Sequence, residues 1–176
     1  MDDIYAETLE SARVKLPIAI DKDTITERLR NSLASTREGV CGVNGYVEPG
    51  SLAVIGYSAP RASHGELEFE VSFKYRACML PEGTVLELVV NDVTKAGIRA
   101  TLPVKNSPAV VFVARDHHNT SSEFAEAGIG KRIEVTVIAQ RYEKGDTQVS
   151  AIASLNRVLG EEATPAKLQF RTRYKK

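Results

Sequence analysis

The sequence predicts a β-rich α+β chain that divides into two small domains near residue 80. In residues 67–79, LEFEVSFKYRACM, apolar and polar side chains alternate from Leu67 to Tyr75, which is typical of a half-buried β-strand. The pattern breaks at the turn Leu80-Pro81-Glu82-Gly83, and a second strand pattern, TVLELVVNDV, begins at Thr84. We interpret this break as the boundary between the domains.

Length and composition fit a soluble intracellular protein. A chain of 176 residues with 43% hydrophobic and 26% charged residues accommodates one medium domain or two small ones. No window approaches the roughly 18 apolar residues of a membrane span, and the acidic N-terminus lacks the apolar core of a secretory signal. Two cysteines, Cys41 and Cys78, provide neither a disulfide framework nor a metal-site spacing, which favours a reducing compartment.

The charge distribution sets apart the C-terminal segment. The net charge is zero, which argues against binding nucleic acid through bulk electrostatics. Residues 161–176 nevertheless contain five basic and two acidic residues. This basic tail is interpreted either as a solvated terminus or as a contact for a polyanion.

The first domain, residues 1–79, is predicted to be an antiparallel sheet with one helix. Residues Ala12–Ile20 alternate as a strand, with Val14, Leu16, Ile18 and Ile20 on one face, and Pro17 indicates an edge position or a bulge. A helix follows, with Asp23 or Thr24 as N-cap and a capping box over Thr24–Glu27. Its apolar stripe is Ile25, Leu29 and Leu33, and Gly39 is its expected stop.

A glycine-rich segment follows the helix, with short strands predicted over Val40–Val47 and Leu52–Ile55. The spacing of Gly39, Gly42 and Gly45 is not that of a dinucleotide site, and the segment follows a helix rather than a strand. Turns and bulges therefore explain these glycines better than phosphate binding. Residues Arg61–Glu66 are predicted to form a polar loop.

The second domain, residues 80–160, is predicted to contain five strands. Their ranges are Thr84–Val93, Ile98–Leu102, Ala109–Val113, Arg132–Tyr142 and Thr147–Leu155. A longer polar link, Asp116–Lys131, follows the third strand, and a turn at Gly145-Asp146 predicts antiparallel pairing of the last two. Five strands with this link are the plan of an OB-fold, a small Greek-key barrel.

The sequence contains no recognisable catalytic constellation. The histidines are His64, His117 and His118, and two adjacent histidines in an extended chain point in opposite directions, which disfavours a shared metal. No nucleotide-binding or nucleophile motif surrounds Ser121-Ser122 or the cysteines. We therefore expect a non-enzymatic module without cofactor or metal; an enzyme with a dispersed site near His117 is the alternative.

An OB barrel most often binds single-stranded nucleic acid through aromatic and basic side chains on one face. The aromatic Phe112 lies in an apolar run and is expected in the core. The candidate phosphate contacts in this domain are Lys95, Arg99, Lys105, Arg115, Lys131, Arg132 and Arg141, although for any single one of them an ordinary solubilising charge is the favoured interpretation.

Five segments together resemble one family. They are the opening strand and helix from Arg13, then Glu38-Gly39-Val40-Cys41 with Gly45-Tyr46-Val47, then Phe69–Ala77 (FEVSFKYRA), then Gly83-Thr84-Val85, and finally Val93–Gly97 (VTKAG). In this order they resemble the larger stalk subunit of multisubunit DNA-dependent RNA polymerases, the family of the seventh subunit of eukaryotic polymerase II and its archaeal counterpart. After Gly97, where such barrels often have an aromatic residue, this chain has Ile98 and Arg99.

The resemblance implies a non-catalytic subunit of a nucleotidyltransferase complex. It implies an N-terminal tip domain that docks on polymerase core subunits, an OB domain of the ribosomal S-one type that contacts nascent single-stranded RNA, and a small helical stalk subunit as a possible partner. The implied RNA contacts are Lys95, Arg99, Lys131, Arg132 and Arg141. The implied docking residues are Gly39, Gly42, Val43, Asn44, Gly45, Tyr46, Pro49 and Gly50.

Two points stay open at the level of sequence. A nuclear polymerase fits, and the differences from the family also suit a viral polymerase, for which the location is the cytoplasm or the virion. The functional alternative is a free-standing OB-fold protein that binds single-stranded RNA.

Overall fold

The computed structural model describes residues 4–18, 24–118, 124 and 126–161. The chain forms two compact units. The first, the sheet unit, comprises Asp2–Met79 together with Tyr142–Gln148. The second, the barrel unit, comprises the described residues of Leu80–Arg141 and Val149–Lys176.

The sheet unit contains six strands and one helix. In chain order these are β1 (Tyr5–Pro17), α1 (Ile25–Arg37), β2 (Cys41–Gly42), β3 (Gly45–Val47), β4 (Ala53–Tyr57), β5 (Arg61–Ser63) and β6 (Glu66–Cys78). The long strand β6 pairs antiparallel with β1 along one side and with β3, β4 and β5 along the other, while β2 pairs with β3. The strand predicted from alternation at Leu67 is therefore the centre of this sheet.

Helix α1 packs on one face of the sheet. Leu29 and Leu33 are buried, and Ile25 packs against the same core, which confirms the predicted stripe. The core contributed by β6 consists of Phe69, Val71, Phe73, Tyr75 and Ala77, because alternate residues of a strand face the same side.

The ends of α1 confirm one prediction and correct another. Gly39 has φ +77° just after the helix, as expected for its stop signal. Thr24 is the N-cap, but its side chain makes no capping hydrogen bond, so the predicted capping box is wrong. Its backbone (φ −106°, ψ 1°) is outside the β region that a capping side chain requires. Asp23 lies outside the described residues.

In the sheet unit, strand pairing extends beyond the predicted bounds in two places. Strand β1 starts at Tyr5 rather than Ala12, since the whole of β6 pairs with it, and Pro17 is the last residue of this edge strand. The loop predicted over Arg61–Glu66 is instead strand β5 and a tight turn. His64 and Gly65 in that turn have φ 50° and 83°, the signature of a type I′ hairpin.

The barrel unit is a closed five-stranded β-barrel. Its strands are β7 (Val85–Val93), β8 (Gly97–Thr101), β9 (Ala109–Ala114), β10 (Lys131–Arg141) and β11 (Val149–Glu161), and a short 3₁₀ helix, Arg115–His118, follows β9. The closed order is β10-β11-β9-β8-β7, in which only β9 and β11 are parallel. All five predicted strands are present, and this arrangement is consistent with an OB-like barrel.

The barrel core contains alternate residues of every strand, among them Leu88, Ile98, Val111, Ile133 and Ala153, all fully buried. Phe112 does not belong to it. Because its neighbours Val111 and Val113 point inward, strand alternation turns Phe112 outward, and the prediction that it lies in the core is wrong.

Among the described residues, no helix is long and apolar enough to cross a membrane.

Candidate nucleic-acid interface

The outer surface of the barrel unit has an aromatic side chain beside an arginine. Across the ladders, Arg99 on β8 is opposite Phe112 on β9, and Phe112 is opposite Ile152 on β11. Directly opposed residues in a sheet share a face. Phe112 is 37% exposed and Ile152 is 46% exposed, so an apolar surface lies next to a guanidinium group. We call Arg99, Phe112, Ile152 and Arg141 the Phe112 face.

Gly97 fixes the position of the Phe112 ring. A Cβ atom placed on Gly97 would lie 2.7 Å from Phe112 Cζ, 3.1 Å from its Cε2 and 2.3 Å from the Val113 carbonyl oxygen. The ring therefore contacts the backbone of β8 at Gly97, because only glycine, which has no Cβ atom, leaves room for it. An aromatic side chain held in this way loses little further freedom when a base stacks on it.

Two of the predicted cations border this apolar surface. Arg141 is exposed near the end of β10 opposite Ser150, two positions before Ile152 on β11. In the barrel order, β11 and β9 lie between the strand of Arg141 and the strand of Arg99. Lys95 is exposed in the turn between β7 and β8, two residues before Gly97.

Lys131 and Arg132 both have partners within the barrel unit. The Lys131 ammonium donates a hydrogen bond to the Glu126 carbonyl oxygen at 2.8 Å, and Arg132 forms an ion pair with Glu87. Arg132 on β10 is opposite Val89 on β7, and Val89 is opposite Thr101 on β8. Lys131 and Arg132 are therefore held in contacts within the barrel unit, and strand pairing places neither of them directly opposite Phe112 or Ile152.

Two further predicted cations lie in the segments before and after β9. Arg115 donates its backbone N–H to the Ala96 carbonyl oxygen at 3.0 Å, and its guanidinium lies 5.1 Å from the ring centroid of Phe124. Lys105 is exposed in the connection that precedes β9.

In the sheet unit, two residues of the predicted docking segment are internal. Gly45 and Tyr46 on β3 are buried. Gly45 has φ +107°, and a Cβ there would lie 2.3 Å from the Cys78 carbonyl oxygen. Close approach of β3 to β6 therefore requires glycine at this position. Gly45 and Tyr46 therefore contribute to the packing of the segment and are not available at its surface.

Residues of the segment Tyr142–Gln148 continue the sheet beyond β2. The Cys41 N–H donates to the Asp146 carbonyl oxygen at 2.7 Å, and the Gly145 N–H donates to the Cys41 carbonyl oxygen at 2.9 Å. The Tyr142 hydroxyl donates to the Val43 carbonyl oxygen at 3.2 Å. The β2 edge of the sheet is therefore covered by this chain itself.

The exposed part of the docking segment consists of two turns. Val43, in the turn between β2 and β3, is 74% exposed, and its neighbour Asn44 donates a hydrogen bond to the Tyr75 hydroxyl at 3.2 Å. That hydroxyl donates in turn to Glu10 at 2.9 Å, so the turn is anchored to β6 and β1. Gly42 is half-buried within β2.

The second turn borders a cavity of about 360 Å³. Pro49 and Gly50 are exposed at its rim. Its charged lining is paired: Lys74 lies 3.1 Å from Glu7, and Arg76 lies 3.2 Å from Glu48. The lining of this cavity therefore has charges of both signs.

Chemically reactive groups are sparse within the described part of the chain. There, no group of three or more histidine, cysteine or acidic residues is positioned to hold a metal ion. Burial, with smaller effects of nearby acidic groups, raises the pKa of Cys41 to about 11 and that of Cys78 to about 12, so both are protonated at neutral pH. His64 is exposed in the β5–β6 turn, and His117 and His118 end the 3₁₀ helix.

Comparison with known proteins adds no assignment. No protein-family model matches the chain, and no curated protein matches its sequence.

Proposed function

We propose that this protein is a divergent larger stalk subunit of a multisubunit DNA-dependent RNA polymerase, without catalytic residues of its own. In this proposal the sheet unit is the tip domain that docks on the polymerase core, and the barrel unit is an OB domain of the ribosomal S-one type. The observation that supports it most is the closed barrel with an outward aromatic and arginine pair on its second and third strands. In OB-folds these strands form the nucleic-acid face.

The Phe112 face is the proposed contact for nascent RNA. The exposed side of the Phe112 ring would stack on an unpaired base, a contact worth roughly 1–3 kcal/mol. Arg99 and Arg141 on either side would contact phosphates. With two phosphate contacts on single-stranded RNA, the logarithm of the binding constant should fall with the logarithm of salt concentration with a slope near −1.4, about −0.7 per contact. Phe112 also supplies the aromatic group that the sequence lacks at Ile98.

An RNA titration at several salt concentrations tests this contact. We expect Phe112→Ala to weaken binding of a single-stranded oligonucleotide about 5- to 150-fold, the equivalent of one lost stack. The matched control is Val110→Ala on the same strand and face, half-buried two positions earlier. We expect Arg99→Glu to reduce the salt slope, whereas Arg28→Glu on helix α1 makes the same charge change in the sheet unit. Equal losses of RNA affinity in Phe112→Ala and Val110→Ala would exclude the Phe112 face as the RNA contact. Equal changes of the salt slope in Arg99→Glu and Arg28→Glu would exclude it as well.

Docking is proposed to use the exposed turns of the sheet unit at Val43 and at Pro49-Gly50. Purification of the tagged protein from its native cells, followed by mass spectrometry, tests the polymerase assignment. We expect polymerase core subunits in the wild-type sample, with their loss in Val43→Asp. The control Ile55→Asp changes another strongly exposed apolar residue of the same unit, 59% exposed on β4, and should retain them. A small helical stalk subunit would co-purify where one exists.

The second candidate is a free-standing OB-fold protein that binds single-stranded RNA. The Phe112 face supports it equally, because that surface is complete within the barrel unit. Recovery of RNA or ribosomal components without any polymerase subunit would favour this candidate and would leave the family resemblance as a likeness of fold.

A further inference from the structure

Strand β1 leaves one edge of the sheet unit open. Within the described residues, β1 pairs with β6 alone along all 13 of its positions. The opposite edge at β2 is covered by Gly145 and Asp146. A long unpaired edge offers a row of N–H and C=O groups to any strand of matching sequence.

We propose that β1 pairs antiparallel with β1 of a second copy of this chain, about a twofold axis at Ser11. A strand in such a symmetric pair must be complementary to its own reversed sequence. With Ser11 opposite Ser11, Glu7 is opposite Lys15 of the second copy and Leu9 is opposite Arg13. This inference goes beyond the proposed function because it concerns the edge of β1, which that function does not use, and the test variants at Lys15 and Ser11 do not alter the lining of the cavity beside Pro49-Gly50.

The solvent face supports this register through alternating charge. Within one copy, Arg76 on β6 is opposite Glu7, and Glu68 is opposite Lys15. Across the axis the row therefore becomes Arg76, Glu7, Lys15 and Glu68, in which every neighbour has the opposite sign. Opposite charges placed directly across a ladder stabilise it, and like charges destabilise it. The twofold axis generates this row twice.

At the axis itself the solvent face has small polar residues. The Ser11 hydroxyl lies 3.1 Å from the Ser72 hydroxyl on β6, so the central row contains four serines, two from each copy. Both residues are exposed, and neither is large enough to keep two strands apart. Nothing at the centre of the register opposes pairing.

The opposite face supports the same register through apolar residues. Ala6 falls opposite Leu16 of the second copy, and Thr8 falls opposite Val14. Within one chain, Leu16 and Val14 are buried on the side that α1 covers, whereas Ala6 is exposed. Pairing would extend the apolar face of one sheet into that of the other. Glu10 falls opposite Ala12, and its carboxylate is already bound by Arg37 and Tyr75.

The first test exploits the symmetry of the charges. Glu7→Lys places two lysine pairs across the axis, and Lys15→Glu places two glutamate pairs there, so each variant alone should dimerise at least tenfold more weakly in sedimentation equilibrium. An equimolar mixture restores two attractive pairs and should form the heterodimer. A wild-type chain that is monomeric throughout the micromolar range would overturn the proposal, as would a mixture no more dimeric than its components.

The second test fixes the register. In Ser11→Cys the two introduced thiols would face each other at the 4.4–6.8 Å Cα separation that a disulfide requires, and mild Cu(II) oxidation should give a covalent dimer. Ser72→Cys is the matched control, because its two copies would be three strands apart, roughly 14 Å. Native Cys41 and Cys78 are buried and should not contribute. Equal cross-linking of the two variants, or none in Ser11→Cys, would overturn the register; pairing of β1 with residues 162–176 would appear as the latter.

Discussion

Gly45 and Gly50 belong to the same predicted docking segment, yet the structure assigns them different sensitivities to substitution. Both have left-handed backbone, with φ +107° and +80°, which costs an L-residue about 1–2 kcal/mol. At Gly50 an added Cβ meets nothing within 4 Å, so Gly50→Ala should cost about 1 kcal/mol. At Gly45 that Cβ would lie 2.3 Å from the Cys78 carbonyl oxygen and 2.8 Å from Met79 Cγ. Relief of this overlap adds about 1–3 kcal/mol, for a total near 3 kcal/mol.

The two native cysteines make this difference measurable in the sheet unit alone. Cys41 and Cys78 both lie there and are buried, and their raised pKa values of about 11 and 12 keep them protonated. A thiol reagent at pH 8 therefore modifies them only when the unit opens. Since each 1.36 kcal/mol is a factor of ten, Gly45→Ala should accelerate modification roughly 150-fold and Gly50→Ala about fivefold over wild type.

Similar rates for the two variants would refute the reasoning, because only the close approach of β3 to β6 distinguishes the sites. The result also matters for docking experiments. A Gly45 variant that failed in the proposed docking would do so through disruption of its own sheet, whereas a Gly50 or Val43 variant tests the surface itself.

Three further predictions concern the stability of the sheet unit. Leu29→Ala should lower its free energy of unfolding by about 2–5 kcal/mol in urea titrations followed by circular dichroism, since Leu29 is fully buried in the core; a loss below 1 kcal/mol would contradict its position. Tyr75→Phe should cost about 1–2 kcal/mol, because its hydroxyl hydrogen-bonds to two side chains, whereas the exposed Tyr57 should tolerate the same change. Between about pH 9 and 11 the folded thiols of Cys41 and Cys78 bind more protons than the unfolded ones, so stability should fall as pH rises. Replacement of both cysteines by alanine should flatten this pH dependence, and an unchanged slope would contradict it.

Sequence pattern predicted the barrel strands well because each has local apolar content bounded by turns. It missed the first half of β1 and all of β5. Residues 5–11 include Glu7 and Glu10, and their strand conformation depends on pairing with β6 some 65 positions later, which no local window contains. Tertiary pairing overrides weak local preference in such segments.

Prediction of the candidate site from local sequence was limited in the same way. The alternation of Val111, Phe112 and Val113 contained the signal that Phe112 faces outward, but the apolar run as a whole resembles a buried strand. The basic residues gave no such signal. Whether Arg132 is available depends on Glu87, 45 positions earlier in the chain, and the placement of Arg99 and Arg141 on either side of Phe112 and Ile152 depends on the pairing of β9 and β10 with β11.

The strength of RNA binding by the isolated protein separates the two proposed functions. The Phe112 face provides one stacking ring and two flanking cations on a chain of zero net charge, so binding should be weak, with a Kd above about 10 μM at physiological salt. A docked stalk subunit would not need a higher RNA affinity, because tethering beside the transcript would supply an effective RNA concentration of order 1 mM. A site with a Kd near 100 μM would then be about 90% occupied. A free-standing protein has no such tether and must bind dilute RNA directly. A Kd below about 1 μM for the isolated chain, lost in Phe112→Ala, would therefore contradict the stalk assignment and support the free-standing binder.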